Sequence, residues 1–280
     1  MHAIAHHDAN RSQQREVTLL FADLRSFTEL AAALEIDPLV CELLAQVMDC
    51  LTDAVMHHEG LVVDYYGDGL VAMWNAPTDQ PHHAELACRA SLEMLETLPS
   101  VAGDWSGVIQ TDLQLGIGVH TGMAQVGNAG STRQTKYGPR GPSVNLASRV
   151  EAAAKALRQP LIATTATVQQ LPNRFASHRI CRALMPGLRE PIDLYAVRQS
   201  ANDERFSATW RLYDEALRHF EQRRYKDAAD ILESIDAKGT EIPWRFLSDE
   251  VQRELGRQKR RRSTDRKGAC LDGVIELNAK

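Results

Sequence analysis

Apolar positions along the chain repeat on two periods, and each period predicts a different element. Val17–Ala22 (VTLLFA) is a continuous apolar run that stops at Asp23, the mark of a buried strand followed by a turn. Asp37-Pro38 then reads as a helix cap with proline at the first helical position. Leu39, Leu43, Val47, Leu51 and Val55 follow at four-residue spacing, widened by Val40 and Leu44, and Gly60 closes the helix. Two strand-like pieces, Leu61–Val63 and Leu70–Trp74, flank Tyr66-Gly67-Asp68-Gly69, whose glycines permit a tight hairpin with Asp68 at its tip. A second helix is expected from His82 to Leu98, with Leu86, Ala90 and Met94 on one face. The strand Asp112–His120 follows, then a glycine-rich stretch from Gly122 to Gly141.

A helix from Val144 to Leu157, a strand at Leu161–Ala163 and a strand pair near Arg179–Leu184 and Pro191–Val197 complete the pattern. The order contains β-α-β-β-α-β, so the fold class is α+β, ferredoxin-like, with added C-terminal strands. Residues 1–16 are too polar to join it and read as a disordered terminus. The main domain spans 17–198. In 205–256, Trp210, Tyr213, Leu217 and Phe220, then Tyr225, Ala228, Ala229 and Leu232, suggest two helices turning near Arg223-Arg224. That pattern resembles one tetratricopeptide-like hairpin, which cannot bury its own face and is expected to pack on the main domain or on a partner protein. Residues 257–280 form a basic tail containing Lys259-Arg260-Arg261-Arg262, read as a solvated segment rather than a nucleic-acid or lipid contact.

Composition narrows the function classes. A net charge of -5 argues against general polyanion binding, so no nucleic-acid partner is expected. The five cysteines are scattered, with no CxxC or His/Cys cluster, which speaks against a disulfide framework or a zinc site and for a cytoplasmic protein. The His2, His6 and His7 group reads as part of a floppy terminus. No apolar h-region opens the chain, and no apolar run approaches the ~18 residues needed to span a bilayer.

Asp23 and Asp68 end or join strands that are neighbours in a ferredoxin-like sheet. Two carboxylates at one sheet end make a hard oxygen site suited to Mg²⁺ or Mn²⁺ with a phosphate substrate. The backbone from Leu24 to Thr28 is expected to enter a helix whose free N–H groups favour a triphosphate.

Four ordered segments then carry a resemblance. FADLRSFTEL and YYGDGLVAMWNAP resemble the two metal-binding motifs of class III nucleotide cyclases. GIGVHTG (Gly116–Gly122) resembles the family's central strand, and GPSVNLASRVEAAAK (Gly141–Lys155) its helix bearing the transition-state Asn and Arg. The resemblance implies a homodimer with composite sites converting ATP, or GTP, to the 3′,5′-cyclic nucleotide and pyrophosphate for second-messenger signalling. It implies two Mg²⁺ or Mn²⁺ ions per site, held by Asp23, the Leu24 main chain and Asp68 of one subunit. Asn145 and Arg149 of the other subunit act on ribose and phosphate; four residues apart on a helix, they share a face. Substrate contacts are implied at Phe27, Thr28 and Gly67.

Three positions depart from the family pattern. The base-reading lysine is replaced by Asp64, the second base-reading residue by Gly138, and the phosphate lysine by Pro186. Lys136 and Arg140, in the loop TKYGPRG, and Arg133 are candidate substitutes for the lost cation. Asp64 is either a third acidic ligand or a surface strand residue paired with Arg or Lys. The departures keep a second reading open: a degenerate cyclase-like domain that binds nucleotide or dimerises. A diguanylate-making relative lacks its GGDEF-type signature here, and no Walker lysine loop is present.

Overall fold

The apolar run at Val17–Ala22 forms the middle of a longer strand, β1 (Gln13–Arg25), which continues through Asp23 and Leu24. The strand also corrects the disordered reading for residues 13–16, whose backbone pairs with residues 123–126. The chain turns at Ser26, whose φ is +58°, and only then does a helical turn begin at Phe27. Asp23 is therefore held in regular sheet, more rigidly than a turn residue. The computed structural model describes residues 12–27, 30–31, 38–109, 112–131, 133–199, 204–235, 243–261 and 273–277. The expected cap at Asp37, substrate residue Thr28, the His2, His6 and His7 group, Cys270 and most of the basic tail lie outside them.

Helix α1 (Pro38–His57), strands β2 (Leu61–Tyr66) and β3 (Gly69–Trp74), helix α2 (His83–Asp104) and strand β4 (Gln114–Gly130) follow β1. The four strands lie in the order β2-β3-β1-β4 with every neighbouring pair antiparallel, the ferredoxin-like arrangement. Helix α2 runs six residues past its expected end at Leu98, through Pro99, because Trp105 just beyond it is drawn into the core.

The stretch 122–141 corrects the loop-like reading of its glycines. β4 continues to Gly130 and folds back as β5 (Thr135–Arg140), an antiparallel hairpin registered Gln125↔Arg140 to Gly130↔Thr135. Helix α3 (Pro142–Leu157), strand β6 (Leu161–Thr164), the short helix α4 (Thr165–Val168), and strands β7 (Phe175–Leu184) and β8 (Ile192–Gln199) come next. β6 pairs parallel to β4, and β8 and β7 extend the sheet beyond it.

Alternation along β1 divides the interior. Leu20, Ala22 and Leu24 face α1 and α2, packing on Leu43, Val47, Leu51, Ala90 and Met94. Val17, Leu19 and Phe21 face the other way, against Val71, Met73 and Ala147 of α3. A buried polar seam crosses the sheet: Thr18 Oγ1 lies 2.7 Å from His83 Nδ1 and 2.8 Å from Thr121 Oγ1, and His120 Nδ1 lies 2.8 Å from Thr164 Oγ1.

Three helices follow the sheet: α5 (Glu204–Glu221), α6 (Tyr225–Ser234) and α7 (Trp244–Arg261). The third of these extends the expected hairpin. They pack on the main domain, where Trp210, Tyr213, Phe220, Leu232 and Leu247 share one core with Val150, Ala154 and Leu157 of α3 and Ile180 of β7. The two-residue strand β9 (Ile275–Glu276) pairs with β7. No helix among the described residues is long and apolar enough to cross a membrane.

Candidate active site

Asp23 stands on the Val17–Leu19–Phe21 face of β1, opposite Gly69 of β3 and Gly116 of β4. Both partners being glycine leaves room beside it. A Cβ on Gly69 would sit 2.8 Å from Asp23 Oδ1 and 2.8 Å from the Tyr66 ring. Asp68 follows Gly67 (φ +59°) in the two-residue turn between β2 and β3. Its carbonyl accepts a hydrogen bond from the Leu24 amide at 3.4 Å, tying the turn to β1. The two aspartates and the Leu24 main chain are thus brought to one end of the sheet, as the sequence reading placed them.

A third carboxylate joins them that sequence reasoning missed. Glu151 of α3 projects toward Gly116, whose Cβ would lie 3.2 Å from Glu151 Oε1 and 3.5 Å from Arg25 Nε. Burial, then repulsion from Asp68, pushes the Asp23 carboxyl up to about 6. Burial and the charges of Asp23 and Asp68 push Glu151 up to about 7, against the pull of Arg25. Burial, with Glu151, Asp23 and Asp68 nearby, likewise raises the Tyr66 hydroxyl. Arg25 donates to the carbonyls of Ala154, at 3.2 Å, and Gln159. These bonds hold it at the end of α3, from where its charge offsets part of the burial of Glu151. Carboxylates made this reluctant to ionise, with oxygen donors converging, fit a hard divalent cation. The signal for Glu151 was its place in the helical motif, two residues past Arg149 and therefore about 200° around the helix.

Asn145 and Arg149 lie on another face of α3, where Asn145 is exposed and Arg149 half-buried. The Arg149 guanidinium reaches the turn after β7, where a Cβ on Gly187 would be 2.8 Å from Arg149 Nη2. The departure at Pro186 therefore adjoins Arg149, and the described geometry supplies no replacement lysine at that point.

The remaining candidates separate. Phe27 is 9% exposed and its ring belongs to the α1–α2 core, so any substrate contact there falls to its main chain. Asp64 forms an ion pair with Lys136 across β2 and β5, which decides between its two readings for a paired surface residue. Arg140 donates to the carbonyls of Gly127 at 3.2 Å and of Gly138 and Lys136 at 3.4 Å, bracing its own hairpin. Gly138 is buried, its missing Cβ 3.0 Å from Val63 Cγ1. Arg133 is exposed at the hairpin turn.

A ferredoxin-like sheet with paired carboxylates at the β1 and β2–β3 ends, and an Asn/Arg helix beside it, defines a nucleotide-cyclase type of domain. The family model described as the adenylate and guanylate cyclase catalytic domain matches residues 9–199, and the chain belongs to that family. Adenylate cyclase 1 of Rhizobium meliloti (strain 1021) is 30% identical over 192 residues, which cover 69% of this chain and 29% of that protein. This chain thus spans less than a third of that relative's length. Among solved structures, the guanylyl cyclase Cya2 matches with a TM-score of 0.58 at 28% identity, over 69% of this chain and 96% of that one. The adenylyl cyclase CyaB from P. aeruginosa matches with a TM-score of 0.64, over 69% of this chain and 98% of that one; at 24% identity it supports the fold.

Proposed function

We propose that two copies of this chain form sites that convert a purine nucleoside triphosphate to its 3′,5′-cyclic nucleotide and pyrophosphate. The observation that carries this reading is the division of labour on α3. Glu151 points to the Asp23 and Asp68 end of its own chain, while Arg149, two residues away, points to Gly187. One helix cannot turn both faces to the same substrate, so the carboxylate pair needs the Asn145–Arg149 face of a second copy.

Asp23, Asp68 and the Leu24 main chain are the groups that would hold divalent metal. Mg²⁺ or Mn²⁺ bound there supplies acidity to the ribose 3′-hydroxyl and countercharge to the phosphates. The 3′-oxygen forms the new bond to the α-phosphorus, the bond to the bridging oxygen breaks, and pyrophosphate leaves while the hydroxyl proton passes to solvent. Asn145 orients the ribose, and Arg149 places a fixed positive charge where the phosphoryl group gains negative charge. The main chain from Phe27 offers amide donors to the triphosphate.

ATP is favoured by the adenylate cyclase among the relatives, and GTP remains an arm of the test because Cya2 is a guanylyl cyclase. A triphosphate substrate and the free thiols of Cys41, Cys50, Cys88 and Cys181 go with a cytoplasmic setting. The competing reading, a domain that binds nucleotide or dimerises without turnover, draws on Pro186 beside Arg149 and on the occupied Asp64–Lys136 pair. Incubating the protein with ATP or GTP and Mn²⁺, and resolving the products chromatographically, separates the two. Cyclic nucleotide is expected from the native protein and none from folded Asp23→Ala or Asp68→Ala. Full turnover in either variant overturns the assignment, and a folded, nucleotide-binding native protein that makes no product supports the competing reading.

A further inference from the structure

The sequence shows no metal-binding spacing, yet the fold brings three ligand side chains together at the end of the molecule opposite the carboxylate pair. His57 closes α1 and His58 follows it, while Glu93 lies in the middle of α2, which packs alongside. His57 Nδ1 is 2.9 Å from Glu93 Oε2 and 3.1 Å from Oε1, and His58 Nε2 is 2.8 Å from Oε2. The ligand atoms of all three residues fall within 4.8 Å of one another. The two imidazole rings stack with centroids 4.8 Å apart.

We propose that His57, His58 and Glu93 form a binding site for a borderline divalent transition metal, Zn²⁺ being the ion tested, separate from the catalytic carboxylates. Two imidazoles and one carboxylate are a donor set that selects zinc-like ions over Mg²⁺ or Ca²⁺, which take oxygen ligands. The backbone holds the set in place: the Trp74 indole N–H donates to the His58 carbonyl at 2.7 Å, and the Gly60 amide donates to Val55 at 2.8 Å. The neighbouring cations do not compete for Glu93. Arg89 and Arg174, which line the adjoining cleft with His58 and Glu93, both pair with Glu85 instead. His57 is 71% exposed, so its ring can swing to close the wider gap while His58, 14% exposed, stays fixed. One side remains open for a water or a further ligand, as three-ligand zinc sites require.

Independence from the catalytic centre follows from β3. Gly69, beside Asp23, begins this strand, and Trp74, bonded to His58, ends it, a run of roughly 17 Å at strand rise. Filling the site would clamp the end of α1 to α2, without a contact at Asp23 or Asp68.

The test uses the full chain carrying His2→Ala, His6→Ala and His7→Ala, which removes adventitious terminal ligands, stripped with chelator and kept in excess Mg²⁺. Zn²⁺ titration followed calorimetrically is expected to give one site per chain, and Zn²⁺ to raise the thermal midpoint. Loss of an outer partner alone costs about 10–100-fold in metal affinity, so His58→Ala and Glu93→Gln should each weaken Zn²⁺ binding by at least about a hundredfold. The exposed His57→Ala serves as the variant least able to disturb folding, and Co²⁺ in place of Zn²⁺ should lose its visible d–d bands in that variant. Absence of binding in the chelator-stripped protein, or affinity unchanged in His57→Ala and Glu93→Gln, overturns the proposal.

Discussion

Lys136 reaches from β5 to the Asp64 carboxylate on β2, closing an ion pair between strands that flank the face bearing Gly138. These are the positions from which the nucleotide base would be read. With side chains 49% and 54% exposed, the pair is worth about 0–1 kcal/mol and opens at little cost. Asp64 can then accept from the adenine amino group, and Lys136 can donate to the guanine carbonyl. With no side chain at Gly138 to reject either base, ATP and GTP should differ by less than about a hundredfold in kcat/KM, under roughly 2.7 kcal/mol. Asp64→Lys should shift the preference. Steady-state kinetics with both nucleotides check this, and strict native selectivity would place base reading on other residues.

The orientation of α3 leads to a complementation experiment. Asp68→Ala and Arg149→Ala should each be inactive alone, because each damages both sites of a symmetric dimer. Mixed, they should recover activity, since one of the two sites in the heterodimer carries neither substitution. Proven subunit exchange without recovery would count against shared sites.

Glu151 should act on metal more than on chemistry. Its carboxyl lies near enough to Asp23 and Asp68 for their charges, after burial, to push it up to about 7. Glu151→Gln is expected to raise the Mn²⁺ concentration for half-maximal activity about tenfold, the scale of an outer-shell loss, with little change in kcat at saturating metal. A large fall in kcat at saturation would instead assign Glu151 to the transition state.

His120 makes the fold sensitive to acid. Burial against β6 drives its pKa down to about 4, whereas the unfolded ring takes up its proton near 6.5. Stability from the neutral ring is therefore complete above 6.5 and drains away as the pH falls from there toward 4. The loss between pH 7 and pH 5 is about 2 kcal/mol. The raised carboxyls of Asp23 and Glu151 act in the opposite sense but are common to native and variant proteins. Urea unfolding at the two pH values should show His120→Gln losing less stability than the native chain by that amount.

What the sequence made legible was whatever local pattern carries. All six elements of the ferredoxin-like unit announced themselves by their apolar runs and spacing, and Asp23, Asp68, Asn145 and Arg149 by motif. The β4–β5 hairpin did not: its residues are glycine-rich and polar, and its strand character comes from pairing with β4 rather than from an apolar run. Glu151 hid because a carboxylate inside a helix ordinarily reads as surface, and only the glycine at 116 opens the sheet to it. His57, His58 and Glu93 hid for a different reason. Their juxtaposition is a product of how α1 packs on α2, and no spacing along the chain encodes it. Helix α7 was absorbed into a two-helix expectation, whereas Phe246, Leu247 and Val251 give it an apolar face of its own.

The core shared by α3 and the three C-terminal helices means that the catalytic boundary at residue 199 is not a seam along which the protein can be cut. Stopping the chain there would leave Val150, Ala154, Leu157, Ile180 and Met185 with one wall of their enclosure missing. The stump would present a sticky flank on the very helix that must offer Asn145 and Arg149 to a second copy. Such a fragment would be prone to clump through the wrong side of α3, so the C-terminal helices act as a sheath that keeps one side of that helix quiet.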